Sequence, residues 1–127
     1  MKYLGKHYIL ELYDCPADLL SDPTFIEVKM NAAAIEMQAT IVNSNFHHFN
    51  PYGVSGVIII KESHLTIHTW PEYGYAAIDI FTCGKIYMDK GIEYLKEHLK
   101  AKGAEVKKIG RGALEKFTAE FEGNVKQ

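Results

Sequence analysis

At 127 residues the chain is long enough for one hydrophobic core and too short for two. Apolar residues make up 47% and charged residues 24%, a globular balance that excludes a disordered chain. Its 14 Lys and Arg and 16 Asp and Glu are interspersed and leave a net charge of −2, so there is no basic stripe for nucleic acid and no polybasic helix for a membrane surface.

The opening "MKYLGKHYILELYDC" carries Lys6, His7 and Glu11 too early for a signal-peptide core and reads as a first strand, from about Lys6 to Tyr13. "SDPTFIEVKMNAAAIEMQA" reads as a helix, with Asp22 as N-cap and Pro23 in the first helical position. Its Phe25, Ile26, Met30, Ala33, Ala34 and Met37 recur at helical spacing. "TIVNSNFHHF" is a second strand, and "NPYG" supplies turn chemistry. "VSGVIII", "HLTIHTW" and "YAAIDIFTC" follow as three strands joined by short, hence antiparallel, connections. "MDKGIEYLKEHLKAKG" is a second helix, with Asp89 as N-cap and Gly103 just past its end, and "AEVKKIG" is a last strand. Residues Arg111 to Gln127 read as a weakly specified tail with one helical turn at most. No apolar run reaches the length of a membrane span, and Cys15 and Cys83 lack metal spacing, so a cytoplasmic protein with both thiols reduced is expected.

The order β-α-β-β-β-β-α-β predicts a single α+β domain over residues 1–127, a two-layer sandwich whose mostly antiparallel sheet carries both helices on one face. Strand alternation then sorts the side chains. Leu65 and Ile67 point one way, in company with Ile78 and Ile80, while His64, Thr66, His68 and Trp70 point the other, with Asp79, Phe81 and Cys83. That second face is too apolar for free water and too polar for a closed core. A second copy covering it, with a polar cavity at the seam, is the economical expectation.

Several residues on this face have two readings. Ser63 is an ordinary turn serine, or its hydroxyl attacks the preceding Glu62 carbonyl and turns the peptide bond into an ester; no G-x-S-x-G elbow surrounds it. His64 and His68 are half-buried hydrogen-bonded histidines, or with His47 or His48 they form a zinc site. Cys83 is a small core residue, or a thiol acid whose pKa lies near enough to neutrality to deliver a proton. Phe49, Tyr52, Trp70, Tyr73 and Tyr75 are packing, or ring faces for a cationic ligand. Glu72 faces solvent, or binds ribose hydroxyls.

Taken together, "YGVSGVIIIKESHLTIHTWPEYGYAAIDIFTCG" resembles the small prokaryotic S-adenosylmethionine decarboxylases, most distinctively in "ESHLTIHTWPE" and "IDIFTCG". The likeness extends more loosely from the first strand through the second helix and is absent after Arg111. The resemblance implies a self-processing proenzyme cut between Glu62 and Ser63 into residues 1–62, the β chain, and 63–127, the α chain. Ser63 would attack the Glu62 carbonyl with help from Ser55, and His68 would take the Ser63 α-proton, leaving a pyruvoyl group in place of Ser63. That ketone would form a Schiff base with S-adenosylmethionine and draw off the electrons left by CO2, as pyridoxal phosphate does elsewhere. Cys83 would protonate the substrate α-carbon, giving the aminopropyl donor for spermidine synthesis. Phe49 would stack the adenine and Glu72 hold the ribose, with Tyr3 and Trp70 as neighbours. No metal is implied. Two processed protomers would pack sheet to sheet, each site taking Ser63 and Cys83 from one protomer and Phe49, Ser55, His68 and Glu72 from the other. The other readings are a non-catalytic module that binds adenosyl compounds, which has no need of Ser63, His68 and Cys83 together, and a structural zinc domain.

Overall fold

The structure, a computed structural model, describes residues 2–49 and 51–117. In chain order it contains β1 (Tyr3–Tyr13), α1 (Ala17–Leu20), α2 (Pro23–Glu36), β2 (Ile41–His48), β3 (Val54–Ile60), β4 (Ser63–Trp70), β5 (Tyr75–Thr82), α3 (Met88–His98) and β6 (Gly103–Ala113), with 3-10 turns at Pro71–Tyr73 and Leu114–Lys116. The strands form one six-stranded sheet in the order β2-β3-β4-β5-β1-β6, and every neighbouring pair is antiparallel. The expected α+β sandwich is thus observed. Its N-terminal strand is not an edge: β1 lies between β5 and β6, pairing Ile9 with Asp79 on one side and Lys107 on the other.

Local chemistry explains the elements. Asp22 caps α2, its Oδ1 accepting from the Thr24 and Phe25 amides at 3.0 and 3.1 Å, and Pro23 occupies the first helical position with no amide to satisfy. α3 departs from the sequence reading at both ends. Its cap position is Tyr87 rather than Asp89, which lies in the first turn where a carboxylate meets the positive end of the helix dipole. Its end comes before Gly103, because Lys100 adopts the left-handed conformation (φ 53°) and the Ala101 amide donates back to the Lys96 carbonyl at 3.1 Å. The Lys102 amide then reaches Tyr13 on β1, and Gly103 opens β6 instead of closing a helix. The short helix α1 was not anticipated; it buries Leu20 beneath the sheet end. The tail reading is corrected at its start, because β6 runs on through Ala113 by pairing with β1; one turn follows at Leu114–Lys116, and residues 118–127 lie outside the described residues.

The sheet is two-faced, as alternation predicts. Leu10, Leu12, Ile58, Ile60, Leu65, Ile67, Ile78 and Ile80 are fully or almost fully buried beneath Ile26, Met30, Ala33 and Met37 of the α2 side and Met88, Ile92 and Leu95 of α3. Each such side chain contributes about 1.5–3 kcal/mol by leaving water, and their number makes this layer the stabilising core. The opposite face carries His7, Glu11, His64, Thr66, His68, Trp70, Tyr75, Asp79 and Phe81, and among the described residues no helix covers it. Gly5 belongs to this face for a steric reason: a Cβ there would come within 2.5 Å of the Phe81 ring, which lies across it. Among the described residues no helix is long and apolar enough to cross a membrane.

Candidate active site

The β3–β4 hairpin turns on Lys61 and Glu62, with Ile60 paired to Ser63. Glu62 sits in the left-handed region at φ 64°, a conformation that costs a non-glycine residue about 1 kcal/mol or more. The strain is held by the end of β5. The Glu62 carbonyl accepts from the Cys83 thiol at 2.7 Å and from the Cys83 amide at 3.3 Å, two donors on the oxygen of the peptide that leads into Ser63. On the other side of that peptide the Ser63 hydroxyl meets Thr82 Oγ1 at 2.6 Å. Alternation accounts for the split: Ser63 shares the helix-facing side of β4 with Leu65 and Ile67, whereas Cys83 follows β5 on the open side and is exposed.

A second group lies at the far end of β4. Ser55 and His68 are register partners, and Ser55 Oγ is 2.7 Å from His68 Nδ1. They line a cavity of about 240 Å3 with Phe49, Tyr52, Trp70 and Glu72. The cavity wall is built by two turns. The Phe49 amide donates to the Gly53 carbonyl at 2.9 Å and closes the β2–β3 connection, while Glu72 projects from the turn at Pro71–Tyr73. Trp70 is backed by Tyr75 at 5.3 Å, and Tyr75 in turn stacks on Tyr13 at 5.6 Å. Burial, followed by the carboxylate of Glu11 that accepts from its hydroxyl, raises the Tyr75 phenol above its ordinary range. The Tyr13 phenol is raised chiefly by its hydrogen bond to Glu105. Both therefore stay neutral hydrogen-bond donors.

The structure thus gathers the expected residues into two groups, Glu62, Ser63 and Cys83 in one and Phe49, Ser55, His68, Trp70 and Glu72 in the other. Tyr3 opens β1 at the Cys83 end of the sheet, its ring against Gly110. One chain does not bring the groups together. Ser63 and His68 are five residues apart on an extended strand, about 16 Å, and point to opposite faces. Within one chain His68 therefore does not lie beside the Glu62–Ser63 peptide. Among the described residues no three His, Cys, Asp or Glu side chains converge as for a metal. His64 stacks on Phe81 at 5.7 Å, and His47 packs on Phe49 at 4.5 Å. The residue that sequence reasoning passed over is Thr82. The available signal was a hydroxyl at the end of the buried stripe Ala76, Ile78, Ile80, where only apolar side chains are otherwise found.

Fold and site together describe a two-layer α+β protein with its chemically able groups at an open sheet face and a strained hairpin. The model of the family described as S-adenosylmethionine decarboxylase matches residues 6–112. The S-adenosylmethionine decarboxylase proenzyme of Thermotoga maritima is 55% identical over 118 residues, covering 92% of this chain and 91% of that protein. The proenzymes of Fervidobacterium nodosum (57% over 114 residues, 88% and 82% covered) and Acidithiobacillus ferrooxidans (47% over 116 residues, 91% and 87% covered) are also similar. The crystal structure of the adenosylmethionine decarboxylase from Aquifex aeolicus superposes with a TM-score of 0.82 at 30% identity, covering 93% of this chain and 98% of that one. The chain belongs to the S-adenosylmethionine decarboxylase family.

Proposed function

We propose that this protein is a proenzyme that cuts itself between Glu62 and Ser63 and then decarboxylates S-adenosylmethionine, supplying the aminopropyl donor for polyamine synthesis. The observation that carries the self-processing part is the Glu62–Ser63 peptide itself: strained at φ 64°, with its carbonyl held by two Cys83 donors and its neighbouring hydroxyl held by Thr82. A polarised carbonyl beside a fixed hydroxyl is the arrangement an acyl shift needs. In that shift Ser63 Oγ bonds to the Glu62 carbonyl carbon, the peptide C–N bond breaks, and the hydroxyl proton ends on the Ser63 nitrogen. His68 then removes the Ser63 α-proton, and the Glu62 carboxylate leaves with the ester oxygen. Water replaces the nitrogen of the resulting dehydroalanine, releasing ammonia.

The residues present fit the pyruvoyl group that would result, since its precursor Ser63 heads β4 beside the exposed Cys83 thiol. When formed, that group supplies a ketone for the substrate amine and a sink for the electrons left by CO2. Cys83 holds a proton at Sγ beside residue 63 for return to the substrate α-carbon. Phe49 and Trp70 offer ring faces to the adenine and the sulfonium charge, Glu72 takes the ribose hydroxyls, and Ser55 orients His68 through the 2.7 Å contact. Tyr3 borders the Cys83 end.

Because the two groups sit at opposite ends of β4, a complete site calls for a second copy. Packing two open faces with β4 strands antiparallel sets the Ser63 end of one protomer over the His68 end of its partner, twice per dimer. Biosynthetic chemistry and two free thiols support a cytoplasmic residence. The test is intact mass under denaturing conditions. The parent should appear as fragments 1–62 and 63–127, the latter blocked to Edman chemistry, and Ser63→Ala as one chain that releases no CO2 from carboxyl-labelled substrate. A single-chain Ser63→Ala protein that decarboxylates like the parent would show the reading to be wrong, as would a parent that binds adenosyl compounds but stays whole.

A further inference from the structure

We infer that Thr82 is a positioning residue for self-processing, its buried hydroxyl holding the Ser63 oxygen for attack on the Glu62 carbonyl. The inference rests on the self-processing reading above and adds a residue to it. Ser63 and Thr82 are direct register partners across β4 and β5, and Thr82 is only 3% exposed. The other helix-facing residues of β5, Ala76, Ile78 and Ile80, are apolar, so packing alone would be served by valine.

The hydrogen bonds fix which way the hydroxyls point. Thr82 Oγ1 accepts from the Gly84 amide at 3.0 Å and donates its own hydrogen to the Gly84 carbonyl at 3.3 Å. A hydroxyl has one hydrogen to give. The hydrogen in the 2.6 Å contact therefore belongs to Ser63, which donates to Thr82. A serine oxygen that donates its hydrogen away keeps its lone pairs free for a carbon electrophile. Ser63 alone would rotate among three staggered wells, whereas Thr82 is β-branched and stiff, so the contact passes that stiffness on. Thr82 and Cys83, consecutive and pointing to opposite sides, thus grip the nucleophile and the electrophile of one peptide.

The experiment follows cutting of pulse-labelled chain made in cell-free translation, comparing parent, Thr82→Val and Thr82→Ser by intact mass. Loss of the bond should slow the Val variant about tenfold, while Ser, which restores the hydroxyl, stays within about threefold of parent. A packing role predicts the reverse order, because Val keeps the volume and Ser leaves a void. That reverse order, or a Val variant cut at the parental rate, overturns the proposal. So does a Thr82→Val substitution that lowers the melting temperature of the Ser63→Ala chain by more than about 5 °C, which assigns the slowing to the lost Gly84 turn. A parent that is never cut removes the self-processing reading first, and this inference with it.

Discussion

At the scale of single residues, Cys83 stands where two tasks meet. Its thiol touches the Glu62 carbonyl at 2.7 Å, so the proposed self-processing gives it a part in the cutting step besides the proposed proton return. The two tasks respond differently to truncation. Cys83→Ala keeps the backbone amide at 3.3 Å from the Glu62 oxygen, and this variant should still be cut, more slowly than the parent. Turnover should fall further, about a hundredfold or more, the usual scale for a lost general acid. A proton that misses the substrate carbon reaches residue 63 instead, so the 63–127 chain should gather N-terminal alanine during prolonged turnover, read by mass spectrometry. Parental turnover with an unaltered terminus would remove the proton-donor role. Cys15 is no substitute, because burial pushes its thiol up to about 11 and its amide is tied to Gly74, at the opposite end of β5 from Cys83.

Among the elements, the two long helices end alike. Gln38 after α2 and Lys100 after α3 both take left-handed φ values, 61° and 53°, where glycine is the usual occupant. In each the amide one residue on donates back five residues, Ala39 to Ala34 at 3.0 Å and Ala101 to Lys96 at 3.1 Å. Lys100 is exposed, so replacing it changes backbone strain with little loss of packing. Lys100→Gly should stabilise the fold by about 0.5–1 kcal/mol, the side-chain penalty removed less the added freedom of the unfolded chain. The measurement is thermal melting in the Ser63→Ala background, which keeps one covalent chain, at fixed protein concentration. A rise of about 2–4 °C is expected, and a fall would mean that the Lys100 side chain stabilises α3 more than its backbone strain costs.

For the whole molecule, the open sheet face decides the behaviour. Its middle carries a pair, His7 Nε2 to Asp79 Oδ1 at 3.0 Å, between aromatic rows, a surface suited to a polar seam rather than to a dry core. If each site draws Ser63 from one protomer and His68 from the other, two dead variants should repair each other. In a mixed dimer of Ser63→Ala and His68→Ala chains one site carries both defects and the other carries neither. Random pairing of equal amounts makes about half of the His68→Ala chains partners of a Ser63→Ala chain. About half of the His68→Ala chains should therefore be cut after co-expression, against almost none when that variant is made alone. Intact mass counts them, and no rescue would place Ser63 and His68 in the same chain's site.

How much of this was legible beforehand follows from range. Alternation along "HLTIHTW" and "YAAIDIFTC" by itself determined which side chains share a face, because a strand's period of two is local. Asp22 and Pro23 likewise determined the start of α2, and the run from Glu62 to Cys83 determined which residues could carry chemistry. Only the tertiary structure decided that β1 inserts between β5 and β6, since pairing Ile9 with Asp79 depends on contacts far apart in the chain. It alone decided that Lys100 rather than Gly103 ends α3, where the pull of Lys102 toward Tyr13 outweighs glycine's preference. Thr82 became visible for the same reason: as a letter it is a strand residue, and only the β4–β5 register sets its hydroxyl against Ser63. The separation of Ser63 from His68 was implicit in strand geometry, and a second copy over the open face was an expectation of alternation. Only the tertiary structure decided the partners at each end of β4, Thr82 against Ser63 and Ser55 against His68, because those contacts cross strands.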